Sequence, residues 1–362
     1  MKQWNGLATP AGTRRWCGTR LPAQAWSTQA GLSVAGLGWG TLPGELKNIV
    51  DSKIERALVQ VLAGGLNVLD TSPAYRHRRS QAAVGQALGR ELARGALARE
   101  ELVVSTHAGW LSFNRQEEDP ATVLARDVTA ATGLGAADFV GGVWSLRPAW
   151  LRHQLELSTR LCGLESFDLL FLDAPETGLK VWPRERWRTE LREAFVACEE
   201  LVAEGRLGGY GVASLEGFRC DAQGRARLEA DELLQLAREA AGGEPALRAL
   251  QLPYSLAALD VLNLTVAGQP WLEYAAAQGL WVQTVLGLGQ GQLAQGLPGY
   301  LRELMPGLSS AQAALQVVRS TPGVGTVLVG MKTREHVAEN LALLGDPPLS
   351  QADWQRLFQA GE

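Results

Sequence analysis

The sequence predicts an α/β protein: a (β/α)8 TIM barrel with a long insert after its third strand. Three observations predict it. Eight short apolar runs recur along the 362-residue chain. Most follow their predecessor by roughly 30–45 residues, the length of one strand–helix unit. The segments between them carry amphipathic spacing and helix stop signals. Eight such units in one chain of this size fit a closed barrel, with an open doubly wound sheet as the alternative, since alternation alone does not separate the two.

The predicted strands, in order, are LSVAGLG (32–38), LNVLD (66–70), LVVST (102–106), DLLFLD (168–173), GGYGVA (208–213), ALQLP (249–253), LWVQTVL (280–286) and GTVLVG (325–330). Ser52 and Glu55 read as a capping box, with Ile54, Leu58, Val61 and Leu62 on one face and Gly64-Gly65 as the stop. A helix is expected from about Pro148 to Cys162, ending at Gly163, and another from about Arg186 to Glu204, ending at Gly205. Ser309 can cap AQAALQVVRS, and TREHVAENLALLG closes the eighth unit. The glycines of GLGWGT (36–41) lack the G-x-G-x-x-G spacing of a dinucleotide fingerprint.

One connection is unusually long. Residues 107–147 separate the third strand from the helix at 148, with Asp119-Pro120 starting a short helix inside them. On a barrel, such an excursion lies on the ligand face. Trp110, Phe113, Phe139 and Trp144 either wall a pocket there or pack the insert onto the barrel. The expected organisation is an N-terminal extension (1–30), one barrel domain (31–349) and a C-terminal tail (350–362).

Composition narrows the function classes. A net charge of −4 gives no reason to expect nucleic acid or an anionic membrane as partner. No apolar run approaches the ~20 residues that span a bilayer. The first thirty residues lack the apolar centre of a signal peptide. The four cysteines, Cys17, Cys162, Cys198 and Cys220, show no C-x-x-C spacing and read as thiols in a reducing cytoplasm.

Several motifs, in order, resemble the aldo-keto reductases over roughly residues 31–349. GLGWGT resembles that family's first strand and turn, and NVLDTSPAY followed by VGQAL its Asp/Tyr signature. FDLLFLDAPE resembles the strand that normally ends in His, GRLGGYGVAS the fifth strand and LQLPYSL the sixth. GVGTVLVGMKTREHVAENL resembles the eighth strand and the helix that clamps the cofactor. The insert, with GGVWSLRPAWLRHQLELS, resembles one bacterial branch.

The resemblance implies a four-residue site of Asp, Tyr, Lys and His. Asp70 and Tyr75 stand in their expected places, but His107 and Asp173 occupy the other two. A developing oxyanion needs a nearby cation and donors aimed at it. The family set sums to zero charge, whereas Asp70, Asp173, Tyr75 and a protonated His107 sum to −1. Two carboxylates should raise the pKa of both His107 and Tyr75. Three rescues are open: Asp173 is protonated and donates, His107 replaces the lysine, or His107 and Asp173 form a proton-transfer pair. Loss of catalysis by drift is the fourth outcome. His77 offers a further donor or a solvated loop side chain, and a metal held by Asp70, His107 and Asp173 is not expected.

The resemblance also implies NADP(H), with loss of that cofactor as the alternative. Asp70, Ser214 and Gln251 resemble the nicotinamide end, and Leu288 and Gly291 of GLGQGQL (287–293) the pyrophosphate loop. Lys332 and Arg334 offer cations to a 2′-phosphate, and Glu339 and Asn340 match the adenine pair. Val285 stands where an aromatic residue often stacks on the nicotinamide. The expected function is an NADP(H)-dependent oxidoreductase acting on a small carbonyl or alcohol. The alternative is a catalytically silent binding or scaffold protein, with NADP(H) or a protein as its partner.

Overall fold

A computed structural model describes residues 3–42, 44–219 and 227–359; Cys220 lies outside them. Eight parallel strands close into a barrel. They are β1 (Leu37–Gly40), β2 (Val68–Asp70), β3 (Val103–Ala108), β4 (Leu169–Asp173), β5 (Tyr210–Ala213), β6 (Leu247–Pro253), β7 (Trp281–Val285) and β8 (Thr326–Gly330). Each pairs with the next, and β8 closes on β1 through Val327–Leu37. The strands are Val- and Leu-rich because both faces are covered. Val68, Val103, Leu169, Phe171, Ala249, Trp281 and Leu328 fill the interior. Their outward neighbours pack on helices α1 (Asn48–Ala63), α2 (Arg79–Ala93), α3 (Pro148–Cys162), α4 (Arg184–Ala203), α5 (Ala230–Ala241), α6 (Trp271–Ala277), α7 (Ser310–Arg319) and α8 (Arg334–Ala342).

Two local expectations are corrected. The run at 32–38 is not one strand: Leu32–Ala35 pairs antiparallel with Trp26–Gln29, and the barrel strand begins at Leu37. The hairpin lies across the N-terminal end of the barrel, where Val34 joins the interior cluster and the Asn67 side chain bonds Ala35 N and Ser33 O. Nor do Ser52 and Glu55 cap a helix. Helix α1 already starts at Asn48, and Glu55 pairs with Arg90 at 2.6 Å. Elsewhere the stops stand: Gly163 ends α3 in a left-handed conformation, and Ser309 caps α7 reciprocally with Gln312.

The insert folds onto α3. Phe139 meets Trp150 edge-on at 5.3 Å, and Leu111, Val123, Leu124 and Val128 complete a small core. Trp144 is fully buried and donates its indole N–H to Asp173 O at 2.8 Å. Phe139 and Trp144 therefore pack the insert, while Trp110 and Phe113 remain half-buried.

A buried pair ties the lower end together. Asp168 accepts from Arg99 at 2.9 Å, from Val104 N at 2.7 Å and from Ala8 N at 2.6 Å. Replacing Asp168 with Ala strands a buried guanidinium, which costs about 3–5 kcal/mol. Asp168→Ala is expected to lower the unfolding midpoint in urea accordingly, and a loss under about 1 kcal/mol would show that solvent reaches Arg99.

Candidate active site

The C-terminal ends of β2, β3 and β4 bring Asp70, His107 and Asp173 to one mouth of the barrel. Adjacent strands set their depth: Asp70 pairs in register with Ser105, and His107 with Phe171. Tyr75 joins them from the turn after β2, which closes through Tyr75 N to Ser72 O at 3.1 Å.

That turn is held in an unusual path. Arg76, His77 and Arg78 all have positive φ, at 49°, 50° and 69°. A left-handed non-glycine residue costs roughly 1–2 kcal/mol, so the surroundings must over-determine it. They do. The buried Arg76 side chain donates to Glu45 O at 2.6 Å and to Asp51 at 2.7 Å. Arg78 pairs with Asp127 at 2.8 Å and His77 with Glu118 at 3.5 Å, both in the insert. His77 thus serves the loop, where burial lowers its pKa.

Asp70 is the hub. It is buried and accepts from Ser105 Oγ at 2.7 Å, Tyr75 OH at 3.3 Å and Gln251 Nε2 at 3.4 Å. His107 Nε2 lies 2.9 Å from Asp70 Oδ1 and 3.4 Å from Tyr75 OH. Its Nδ1 is buried without a hydrogen-bond partner, and Asp173 Oδ2 stands 3.9 Å away. Asp173 keeps a quarter of its side chain exposed.

Burial and charge oppose each other here. Burial disfavours a charged His107, but Asp70 and then Asp173 outweigh it, and its pKa is raised. The two carboxylates thus favour the imidazolium over the neutral ring. Burial lifts the Tyr75 phenol well above its usual range, with Asp70 and Asp173 adding to the shift. Burial also raises Asp173, against the pull of His107. A phenol so placed is a weak acid by itself, and a protonated His107 beside it would supply positive charge.

One site residue was not foreseen. Glu176 is buried three positions after Asp173, and burial pushes its carboxyl up to about 7. A glutamate shortly after a strand end normally reads as solvated, and nothing in the local sequence marks this one as buried.

The residues expected at the cofactor lie in three places. Ser214 and Gln251 are buried beside Asp70, and Ser214 N bonds Gln251 O at 2.9 Å. Glu339 and Asn340 lie on α8 next to the start of α7, where Glu339 accepts from Ser309 Oγ at 2.6 Å. Leu288 and Gly291 belong to a loop with Leu286, Gly289, Gln290 and Gly291 all at positive φ, which curls the backbone tightly. Arg334 is exposed, and Lys332 is half-buried. Burial lowers the pKa of Lys332, and repulsion from Arg76 and Lys53 adds to it, so an anion would be stabilised there. The buried Asn340 Oδ1 has no partner and could accept from an exocyclic amine. These groups fit a phosphorylated dinucleotide. Among the described residues no cluster of His, Cys, Asp or Glu is arranged to hold a metal ion.

A family model described as the aldo/keto reductase family matches residues 35–219. Solved structures share the fold at low identity. An aldo-keto reductase from Bacillus halodurans, in its holo form, superposes with a TM-score of 0.64 at 19% identity, covering 93% of this chain and 96% of that one. One from Klebsiella pneumoniae, in complex with NADP and acetate, gives 0.63 at 20%, covering 93% and 95%. A glycerol dehydrogenase from Gluconobacter oxydans gives 0.65 at 18%, covering 93% and 95%. No curated protein sequence matches the chain. A match over half of the chain, on a closed eight-stranded barrel with this mouth, places the protein: it belongs to the aldo/keto reductase family.

Proposed function

We propose that the protein interconverts a small carbonyl compound and its alcohol with NADP(H), and that Tyr75 and His107 move the proton as a pair. The observation that carries this reading is the Asp70–His107–Tyr75 triangle, with sides of 2.9, 3.3 and 3.4 Å. The NADP complex of the Klebsiella pneumoniae relative supports the cofactor, as do Ser214, Gln251, Lys332 and Asn340 here.

When bound, the nicotinamide supplies or removes the hydride. The chain's own residues handle the rest. Tyr75 OH donates its proton to the carbonyl oxygen as charge grows there. His107 Nε2, 3.4 Å from that phenol, replaces the proton by turning its one N–H from Asp70 to the phenolate; until that transfer Asp70 holds the ring at 2.9 Å. In this way the cation that the family takes from lysine comes from imidazolium. Asp173 lies at the open side of His107, where it can bind a hydroxyl of the substrate. The free buried thiols Cys17, Cys162 and Cys198 support a reducing, cytoplasmic setting, and no helix among the described residues is long and apolar enough to cross a membrane.

Tyr75→Phe is expected to cut NADPH-dependent carbonyl reduction about a hundredfold while NADPH affinity stays within about twofold. Steady-state rates with fluorescence titration check it. Reduction should also fall as pH rises through the raised His107 pKa, because only the imidazolium can re-supply Tyr75. A second reading, binding without turnover, is favoured by the poor acidity of Tyr75. Tight NADPH binding with no turnover of any carbonyl between pH 5 and 8 would establish it instead.

A further inference from the structure

The mouth of the barrel carries more negative charge than its own residues cancel. Even with His107 protonated, Asp70, Asp173 and His107 together leave a surplus of −1. Asp70 is fully engaged: it accepts from Ser105, Tyr75 and Gln251 and lies 2.9 Å from His107 Nε2. Asp173 is not. Its ion partner is His107 Nδ1 at 3.9 Å, beyond hydrogen-bond distance, and its carboxylate accepts from no donor among the described residues. Trp144 holds only the main chain there, donating to Asp173 O at 2.8 Å, while a quarter of the side chain stays open to the mouth.

Nearby basic side chains are committed elsewhere. Arg76 holds Glu45 O and Asp51, Arg78 holds Asp127, and Lys180 holds Glu216. The charged groups acting on Asp173 are His107 and Asp70, with no Lys or Arg among them. A second acid stands close to Asp173. Glu176 is buried, and the Ser214 hydroxyl and the N–H groups of Glu176 and Glu216 bond its carboxyl, yet its Oε2 has no partner. A buried carboxyl oxygen left unpaired near another carboxylate is costly unless a positive group arrives with the ligand.

A neutral carbonyl must build its oxyanion against this surplus. A substrate with its own cation cancels it. A hydroxyl can donate to Asp173, but only a cation both donates and neutralises. We propose that the substrate is an amino carbonyl compound whose protonated nitrogen, one or two carbons from the carbonyl carbon, pairs with Asp173 while the carbonyl oxygen faces Tyr75. The inference rests on the oxidoreductase reading above. Glu176 adds negative charge near the pair, and the same field disfavours a keto acid. The groups that face Asp173 are Asp70 from β2, His107 from β3 and Glu176 from the turn after β4; the insert and α4 present the neutral Trp144 and Trp187. Burial raises Asp173, and burial then Asp173 push Glu176 up to about 7, so both carboxylates are charged above their raised pKa values. Preference for the cation should therefore weaken as pH falls and they take up protons.

Steady-state NADPH oxidation at pH 7 with four small ketones tests this: aminoacetone, butanone, hydroxyacetone and acetoacetate. Aminoacetone, in which an ammonium replaces the end methyl of butanone, should exceed butanone in kcat/KM by about a hundredfold, with acetoacetate slowest. Intrinsic ketone reactivity enters that ratio but cancels when variants are compared with wild type. In Asp173→Asn butanone should speed up, because the oxyanion is no longer opposed, and aminoacetone should slow down. The ratio should shrink about tenfold or more, and hydroxyacetone should follow butanone. Glu176→Gln should shrink the ratio about threefold. Calorimetric titration of the NADP+-loaded protein should show the same preference for 1-amino-2-propanol over 2-butanol. A ratio unchanged in Asp173→Asn, or a wild type that prefers a neutral or anionic carbonyl, overturns the substrate class and leaves the oxidoreductase reading standing. NADPH binding with no turnover of any carbonyl overturns that reading, and this one with it.

Discussion

Replacing Asp70 with Asn is expected to slow carbonyl reduction by about three decades, with the fold intact. Asp70 gathers Ser105, Tyr75, His107 and Gln251 around one carboxylate. Its charge leads the attractions that raise the His107 pKa against burial. An asparagine keeps the shape but removes that charge, and burial then favours neutral imidazole. Tyr75 would lose its proton supply and the site its cation, so general-acid and electrostatic contributions fail together, which is about 10²–10⁴ in rate. The pH profile discriminates further. Wild-type reduction should persist up to the raised His107 pKa, whereas Asp70→Asn should retain activity only toward acid, where a less-supported imidazole still charges. Steady-state rates between pH 5 and 8, with thermal unfolding to show an intact fold, make the comparison. A variant that keeps more than a tenth of wild-type activity at pH 7 would remove Asp70 and His107 from the proton path.

Much of this site was legible in the chain because barrel strands end where ligands bind. Reading Asp70, His107 and Asp173 as strand-terminal residues was enough to bring them together, and the structure puts them within contact of each other. The charge argument carried over for the same reason: carboxylates converging on an imidazole raise its pKa wherever they come from. What escaped depended on long-range packing. Leu32–Ala35 and Leu37–Gly40 form one apolar run in sequence, and only pairing with Trp26–Gln29 separates them. Ser52 matched a capping pattern, but α1 begins earlier, at an Asn48 whose flanking Lys47 gives no side-chain cap. Arg76 was unremarkable until its side chain proved to be buried against Glu45 and Asp51, holding three left-handed residues beside Tyr75. Glu176 escaped because nothing local marks a glutamate as buried.

Asp173→Asn should accelerate the reaction, and it is the more diagnostic substitution. An ionised carboxylate ~4 Å from a developing oxyanion costs about 4 kcal/mol at an effective dielectric near 20, or roughly three decades. Solvent at the exposed quarter of Asp173 screens part of this, leaving about two decades. The sign with pH follows from the raised Asp173 pKa. Below it the side chain is neutral and wild type and variant converge; above it the carboxylate charges and only the wild type is held back. Two further shifts bear on the profile. Asp173 helps raise both Tyr75 and His107. Without it the phenol becomes a better acid, but the imidazolium is lost at a lower pH, so the gain should peak near neutrality and shrink toward alkali. Because the overall equilibrium is untouched, kcat/KM for alcohol oxidation must rise by the same factor as for reduction at each pH when the relative affinities for NADP+ and NADPH are unchanged, which titration of both cofactors checks. Measuring both directions from pH 5 to 8 therefore tests the electrostatics twice. A slower variant in both directions would mean that Asp173 passes protons to His107 or grips the substrate more strongly than it repels the oxyanion, and the acidic side chain would then be part of the machinery rather than a brake on it.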